Sequence, residues 1–334
     1  MPRATSTTKA PARAATKPPP QPELDLAGET PASTMSSADF FAPIEEVLDY
    51  VKIVLWGREG AGKTTSAAKL INYFPDSKGL IINAEGGLKK VPLRKRGVDL
   101  DRLRVFPNRR AGQTITFESL LDLHKRIAAD LDADPEAWAV VVIDSATEIY
   151  QTILEQVQRK RVRAAQRKGL EPDVNHVDLA DYGDMAKIFR DILRKFRDLP
   201  CHVVITALER RDIDADTSKP MYGPAVSPAL QTDLLGYMDF ALYLKTEDED
   251  GPYRALTSKS SRYRVKDRYD VLPRVMVEPT CDRIIAYANG DLEPETDEMQ
   301  DLLPADPAPK KSGKKPAKSS SSDDEDESDD ESDD

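Results

Sequence analysis

Cysteine is scarce in this 334-residue sequence, and long apolar runs are absent. The two cysteines, Cys201 and Cys281, lie far apart and form no C-x-x-C pair, so neither a disulfide framework nor a cysteine-based zinc site is indicated. No run reaches the roughly 18 apolar residues that a membrane-spanning helix needs, and no internal repeat is evident. These absences predict a protein of the reducing cytoplasm with no membrane partner.

Composition and charge change sharply along the chain. Residues 1–47 are rich in Ala, Pro, Ser and Thr, and residues 291–334 end in the run DDEDESDDESDD. We expect both ends to be disordered, because neither can bury enough apolar surface to form a core. The acidic tail carries 17 acidic and five basic side chains, so the formal net charge of −11 conceals a core, residues 48–290, of net charge +3. A mildly basic core is compatible with a polyanionic partner.

Apolar runs alternate with amphipathic stretches between these two ends. Strands are predicted over residues 49–56, 79–83, 103–106, 138–143, 201–207, 239–244 and 253–258. Helices are predicted over residues 63–74, 115–131 and 179–198, and over a long stretch that follows Asp144. The run WAVVVI is typical of a central parallel strand covered on both faces, and 79–83 and 103–106 are expected to be buried strands too. The alternation predicts an α/β fold with a mainly parallel central sheet flanked by helices.

The stretch WGREGAGKTTSA matches the pattern G-x-x-x-x-G-K-[ST] between a predicted strand and a predicted helix. In this motif the glycines let successive N–H groups point at phosphate oxygens, and the helix adds its positive dipole end. Lys63 is expected to reach the β and γ phosphates, and the Thr64 hydroxyl to bind magnesium. A glycine turn without a ligand is the less favoured alternative. The residues predicted to hold the nucleotide are Gly57, Arg58, Glu59, Gly60, Ala61, Gly62, Lys63, Thr64 and Thr65.

Two acidic residues follow neighbouring predicted strands. Asp144 ends the run WAVVVID, where it is expected to be the magnesium partner of Thr64; the alternative is a helix N-cap. Its neighbour is Ser145, so the carboxylate for hydrolysis must come from elsewhere. Glu85 in NAEGG is the candidate base that orients an attacking water across the site from Lys63, with an exposed loop acid as the alternative.

Together these segments resemble the RecA-type recombinase core, a DNA-dependent ATPase fold. The resemblance runs in order through GREGAGKTT, INAEGGL, RKRGVDLDRLRVFP, WAVVVIDSATEIY and CHVVITALERR. The closing basic segment TSKSSRYRVKDRYDVLP is similar to that of small RecA-like ATPases of bacteriophages, which are often associated with single-strand annealing. Two departures are residues 208–211, where recombinases place a glutamine-like sensor of the γ phosphate, and the lack of an extra domain for gripping duplex DNA.

The resemblance implies ATP and Mg²⁺ as ligands, Asp144 as a magnesium ligand and Glu85 as the catalytic base. It also implies a homo-oligomer, either a ring or a filament, and the cytoplasm of a bacterial host if the chain is phage-encoded. Single-stranded DNA is the expected partner, and a single-strand-binding or other replication protein is a further candidate.

Three basic segments are candidate contacts for nucleic acid or nucleotide. QRKRVRAAQRKG holds six cations and no aromatic residue, so we expect salt-sensitive, sequence-tolerant DNA binding there, or else a solvated helix face. Residues 209–229 are expected to form a loop that a ligand orders, with Tyr222 either stacking on a base or packed in the fold. The candidate nucleic-acid-binding residues are Arg159, Lys160, Arg161, Arg163, Arg167, Lys168, Arg210, Arg211 and Tyr222.

The third basic segment contains Lys259, Arg262, Arg264, Lys266 and Arg268. Lys266 and Arg268 are expected to act on the γ phosphate held by an adjacent subunit, as an arginine finger does. DNA contact and plain surface charge are the alternatives.

The leading functional hypothesis is a DNA-stimulated ATPase of RecA type that binds single-stranded DNA in recombination, annealing or repair. A P-loop phosphotransferase and a nucleotide-gated accessory factor without recombinase activity remain alternatives. The acidic tail either keeps the protein soluble or occupies the basic surface until DNA displaces it.

Overall fold

The computed structural model describes residues 50–173, 175–214, 218–246, 252–258 and 260–293. The predicted N-terminal arm, nearly all of the acidic tail and Lys259 lie outside these residues. The strands are β1 (Lys52–Gly57), β2 (Lys78–Asn83), β3 (Leu103–Phe106), β4 (Trp138–Asp144), β5 (His202–Ile213), β6 (Pro220–Pro224), β7 (Phe240–Thr246), β8 (Tyr253–Leu256), β9 (Lys266–Asp267) and β10 (Val275–Val277). The α-helices are α1 (Lys63–Lys69), α2 (Lys90–Lys95), α3 (Phe117–Ala133), α4 (Ala146–Arg167), α5 (Leu179–Arg197), α6 (Pro228–Tyr237) and α7 (Cys281–Ala288).

The strands form one sheet in the order β10-β8-β7-β1-β5-β4-β2-β3, with β6 paired to β5 and β9 paired to β7. The six strands from β7 to β3 are parallel, whereas β6, β8, β9 and β10 pair antiparallel. The carboxyl ends of β1, β5, β4 and β2 therefore meet at one edge of the sheet, where open α/β sheets bind ligands.

Helices cover both faces of this sheet because its inner strands are apolar on both sides. In β1, Val54 packs into a core with α3, α4, α5 and α6, while Ile53 and Leu55 pack into a second core with α1, α2 and α7. This two-residue alternation is the pleat of a strand covered on each face. The predicted α/β fold with a mainly parallel sheet is confirmed.

Two predictions about single elements were wrong. β3 is a strand, but it lies at the sheet's edge, so Arg104 and Val105 are exposed rather than buried. Residues 209–229, predicted to be a loop, instead contain the end of β5, its antiparallel partner β6 and the start of α6. No helix in the described ranges has the length and apolarity that crossing a membrane requires.

Candidate nucleotide-binding site

The phosphate loop lies between β1 and α1, as predicted from the motif. Gly57 ends β1 where β7 passes so close that a Cβ atom at this position would lie 2.1 Å from the carbonyl oxygen of Leu244. Gly62 precedes α1 with φ of +80°, a left-handed conformation that glycine adopts without strain. The loop thus leaves the amino end of α1 open toward the carboxyl edge of the sheet, in the arrangement that favours anion binding.

Lys63 folds back over this loop. Its Nζ donates hydrogen bonds to the carbonyl oxygens of Gly57, at 3.0 Å, and Arg58, at 2.7 Å. Burial lowers the pKa of Lys63 from its ordinary value, and the nearby carboxylates of Glu85 and Asp144 oppose that shift. The ammonium group is therefore held at the centre of the site by loop carbonyls and two acids.

Asp144 is fixed by hydroxyl groups from two other elements. Thr64 Oγ1, in the first turn of α1, donates to Oδ2 at 3.0 Å, and Thr206 Oγ1, on β5, donates to Oδ1 at 2.5 Å. Burial raises the pKa of Asp144 above its ordinary value, against the opposing effect of the Thr206 hydrogen bond. Sequence reasoning missed Thr206, which lies inside an apolar strand with no motif around it.

The Thr64–Asp144 pair fits a magnesium ion that is shared with a nucleotide. Mg²⁺ prefers oxygen ligands and commonly takes one or two carboxylates together with substrate phosphates. In the described residues no group of three or more His, Cys, Asp or Glu side chains could hold a metal by itself. A protein site with one hydroxyl and one carboxylate therefore leaves the remaining ligand positions to phosphate and water.

Glu85 lies beside this pair because its backbone is tied to the end of β4. The amides of Ala84 and Glu85 donate to the carbonyl oxygen of Asp144 at 2.7 Å and 3.2 Å. The Glu85 side chain is exposed at the carboxyl edge of the sheet, and its charge acts on Lys63 and Asp144. The structure thus brings Lys63, Thr64, Asp144 and Glu85 to one place.

Glu209 also reaches the phosphate loop, although the sequence did not single it out as a site residue. Its Oε1 lies 3.8 Å from Nε of Arg58, and it accepts a hydrogen bond from the buried hydroxyl of Tyr243. Burial, then the charge of Glu209, raises the pKa of Tyr243 above its ordinary value. The other carboxylate oxygen of Glu209, Oε2, is buried without a hydrogen-bond partner among the described residues. β5 had been predicted to end at Ala207, before this residue.

A cleft opens beside the phosphate loop. Gly62, Thr65, Tyr253 and Thr280 are among the residues that line it. The Tyr253 ring covers Gly62, where a Cβ atom would lie 3.1 Å from three ring carbons. Arg96 stacks over this ring, with its guanidinium carbon 4.7 Å from the ring centroid, and also bonds the Tyr253 hydroxyl at 3.1 Å. None of these cleft residues except Gly62 and Thr65 was predicted.

Tyr222, in the middle of β6, is packed against another ring. It stacks on Tyr263 with ring centroids 5.2 Å apart, and Tyr263 in turn stacks on Tyr243 at 4.5 Å. Of the neighbouring cations, Arg210 bonds Asp212 at 2.7 Å. Arg211 is exposed and forms no ion pair with any described residue.

The six cations of α4 and the turn after it divide into two groups. Arg159 pairs with Glu155 at 2.7 Å, Lys160 with Glu118 at 3.0 Å, and Arg161 with Asp181 at 2.9 Å. Arg163, Arg167 and Lys168 form no ion pair within the described ranges. Half of this predicted DNA-binding set is therefore neutralised by carboxylates of its own subunit.

Lys266 and Arg268 both hold the end of α6 in their own subunit. Lys266 Nζ donates to the carbonyl oxygens of Leu235, at 3.1 Å, and Met238, at 2.6 Å. Arg268 Nη1 bonds Oδ1 of Asp239 at 2.6 Å, and 53% of its side chain remains exposed. β9 pairs with the first residues of β7, at the end of the sheet away from the phosphate loop. The structure does not bring these two cations together with Lys63.

The fold and this constellation define a P-loop nucleotide-binding domain. A family model described as an AAA domain matches residues 49–269, and the chain belongs to this family of nucleotide-binding ATPase domains. Among solved structures, the RadB recombinase is 19% identical to this chain, with 62% of this chain and 79% of the other covered and a TM-score of 0.35. A search of curated proteins gave no match.

Proposed function

We propose that this chain hydrolyses ATP with Mg²⁺ and binds single-stranded DNA, as a RecA-type protein of phage recombination, annealing or repair in the bacterial cytoplasm. One observation carries the hydrolytic part: the amide of Glu85 bonds the carbonyl oxygen of Asp144, and Asp144 in turn accepts a hydrogen bond from Thr64. A candidate base and a candidate magnesium pair are thereby fixed to one strand end. The motif resemblance and the cationic segments support the DNA-binding part.

In this proposal the phosphates lie on the backbone N–H groups of residues 58–65, at the amino end of α1. Lys63 exchanges its bonds to the loop carbonyls for bonds to phosphate oxygens, which keeps its buried charge paired. Thr64 and Asp144 would hold Mg²⁺, which when bound neutralises charge that develops on the transferred phosphoryl group. The nucleoside would lie in the cleft beside Gly62, where an aromatic ring and a guanidinium are already stacked.

Glu85 then acts as the general base. It accepts a proton from water while the water oxygen bonds to the γ phosphorus, and the bond from that phosphorus to the bridging oxygen of ADP breaks. Glu85 then releases the proton to solvent or to the phosphate product, so that ADP and inorganic phosphate leave and atoms and charge balance without another reactant. General-base assistance of this kind contributes roughly 10²- to 10⁴-fold to a rate.

Oligomerisation and a trans-acting cation belong to the same proposal. Arg268, more than half of whose side chain is exposed, is the better placed of the two cations to reach a neighbouring subunit's γ phosphate. Lys266 would first have to leave the carbonyl oxygens at the end of α6. Both cations already have partners in their own subunit. In this proposal, assembly therefore requires that Arg268 leave Asp239 or that Lys266 leave the end of α6.

The test is ATP hydrolysis measured with and without single-stranded DNA over a series of salt concentrations. We expect DNA to stimulate hydrolysis, and the stimulation to fade as salt rises. Phosphate transfer to a small acceptor, with no effect of DNA, would instead identify a phosphotransferase. Hydrolysis indifferent to DNA, with no acceptor, would favour a nucleotide-gated accessory factor.

A further inference from the structure

A second basic surface lies next to Glu85. The segment 89–96, KKVPLRKR, contains five cations and no acid, and α2 forms its centre. Only Leu93 of this segment is buried, so the short helix is anchored by one apolar residue and presents its other side chains outward. The α2 cationic segment is defined here by its exposed cations Lys89, Lys90, Arg94, Lys95 and Arg96.

The cations of this segment are mostly unpaired, unlike those of α4. Within the described part of the chain, Lys89, Lys90, Arg94 and Lys95 make no side-chain hydrogen bond or ion pair. Arg96 alone has a partner, the hydroxyl of Tyr253. Four adjacent like charges without carboxylates repel one another, and this surface is therefore suited to a ligand that supplies several negative charges.

Two more cations border the segment from the loop after β3. Arg109 and Arg110 are exposed and, among the described residues, form no ion pair. A Cβ atom on Gly86 would lie 3.4 Å from Nη2 of Arg109, so this side chain reaches the turn that follows Glu85. Loops at the carboxyl ends of β2 and β3, which are adjacent strands, thus both contribute cations to this edge of the sheet.

We propose that the α2 cationic segment, with Arg109 and Arg110, binds the phosphate backbone of single-stranded nucleic acid. The proposal rests on the DNA binding proposed above and assigns its main contact surface to α2 rather than to α4. A triphosphate alone carries too few charges for six unpaired cations, whereas a strand offers one phosphate per nucleotide. The segment contains no aromatic residue, so binding there is steeply salt-dependent and tolerant of base sequence.

This surface also connects nucleic acid to catalysis. Only Gly86, Gly87 and Leu88 separate Glu85 from Lys89. A nucleic-acid strand bound to α2 restrains the far end of this short connection. The hydrogen bonds from the amides of Ala84 and Glu85 to Asp144 restrain its near end. The orientation of the Glu85 carboxylate is therefore coupled to occupancy of the segment.

The experiment measures binding of the full-length protein to a fluorescent mixed-sequence single-stranded oligonucleotide from 50 to 300 mM salt. The test variant carries Lys89→Gln, Lys90→Gln, Arg94→Gln and Lys95→Gln; glutamine matches lysine and arginine in helix propensity. We expect at least a tenfold loss of affinity at the lowest salt. The slope of log affinity against log salt should fall in magnitude by about 3, since each phosphate contact of a single strand contributes about 0.7.

Two variants of equal charge change serve as comparisons. Lys78→Gln, Lys125→Gln, Lys187→Gln and Lys195→Gln remove four cations from β2, α3 and α5, none of them a proposed contact, and should bind DNA like the wild type. Arg159→Gln, Lys160→Gln, Arg163→Gln and Arg167→Gln, on α4, should lose less affinity than the α2 variant. A larger loss in the α4 variant, or equal losses in all three variants, would overturn the proposal.

A variant that lacks residues 319–334 tests whether the α2 cationic segment is occupied by nucleic acid or by the chain's own acidic tail. If the tail were the ligand, the full-length α2 variant would bind DNA as tightly as, or more tightly than, the wild type, and removal of the tail would then change nothing further. That result contradicts the proposal. If the wild-type protein binds no oligonucleotide, the DNA binding in the proposed function is itself contradicted. A circular dichroism spectrum and an unfolding temperature like those of the wild type show that the α2 variant is folded.

Discussion

Thr206 donates a hydrogen bond to Oδ1 of Asp144 from the strand that separates the Asp144 strand from the phosphate-loop strand. The remaining oxygen, Oδ2, faces the hydroxyl of Thr64. Each threonine therefore bonds one oxygen of the carboxylate. Thr206 sets its orientation, and Thr64 shares with it the proposed Mg²⁺ ion.

Replacement of Thr206 by valine removes that orienting bond while preserving shape. We expect magnesium-dependent ATP binding to weaken by roughly 10- to 100-fold, the usual effect of losing a group that orients a metal ligand. Titration calorimetry with and without Mg²⁺ measures it, and binding without Mg²⁺ should change little. Thr206→Ser keeps the hydroxyl and should restore most of the affinity. A serine variant as weak as the valine variant would show that packing, not the hydrogen bond, matters.

Replacement of Glu85 by glutamine removes the proposed base and keeps its size. ATP hydrolysis should fall by about 10²- to 10⁴-fold, whereas ATP affinity should stay within about threefold of the wild type. Phosphate release and equilibrium nucleotide binding give the two quantities. Glu171→Gln, on an exposed position between α4 and α5, is the matched control and should hydrolyse ATP normally. Parallel losses of binding and hydrolysis in Glu85→Gln would contradict a role as base.

Arg268 gives the proposal of trans action a test by complementation. Lys63→Ala should abolish nucleotide binding in its own subunit, and Arg268→Ala should abolish hydrolysis while leaving ATP binding nearly intact. If Arg268 acts on a neighbour, a mixture of the two inactive variants regains activity, because a normal Arg268 from one chain meets a normal phosphate loop of the other. Hydrolysis by the wild type should also rise steeply with protein concentration.

The competing outcome follows from the ion pair between Arg268 and Asp239. If the arginine only stabilises its own subunit, mixtures remain inactive, and Asp239→Asn lowers the unfolding temperature and the activity as much as Arg268→Ala does. Asp239 also accepts a hydrogen bond from the backbone of Lys52, so its loss disturbs the start of β1. Unfolding temperatures of both variants thus separate the two roles.

His202, at the start of β5, should make stability depend on pH. Burial, with a smaller effect of Lys52, lowers the pKa of its imidazole from 6.5 to about 4. The ring accepts a hydrogen bond from the Val51 amide at 3.1 Å and stacks on Phe74 at 4.9 Å. Between pH 6.5 and 4 the imidazole binds a proton in the unfolded chain but not in the folded chain. The free energy of unfolding is therefore highest above pH 6.5 and declines as the pH falls toward 4.

The size of this effect is about 3 kcal/mol if the full shift is expressed. Urea unfolding of the wild type and of His202→Asn at pH 4.5 and pH 7.5 measures it, because asparagine retains an acceptor for the Val51 amide but does not titrate. We expect the variant to lose less stability between the two pH values than the wild type does. Equal losses in both proteins would assign the acid sensitivity to other groups.

The residues that sequence could identify are those whose role is defined by their immediate neighbours. Lys63 and Thr64 lie inside a contiguous motif, and Asp144 and Glu85 each stand directly after an apolar strand. Thr206 could not be found in this way, because its partner lies 62 residues away on another strand and its immediate neighbours, Ile205 and Ala207, are apolar. Tyr253 and Arg96 likewise meet only because the fold brings β8 next to the end of α2.

The β5–β6 hairpin was mispredicted for a related reason. Gly223, Pro224 and the charged residues before them are typical of a loop when read locally. In the fold these residues pair with β5, and Tyr222 gains a stacking partner from 41 positions later in the chain, Tyr263. Tertiary contacts of this kind override local preference, and no periodicity in a single segment reports them.

The length of β5 restricts which insertions and deletions this part of the chain can accept in evolution. β5 runs unbroken over 12 residues, from beside the phosphate-loop strand into the hairpin. One residue inserted after Thr206 would move every later side chain of the strand to the opposite face, so that Arg210 and Arg211 would exchange faces. Insertions and deletions that surface loops commonly accept are therefore barred here, and the number of residues from Thr206 to Ile213 is constrained as strictly as their identity.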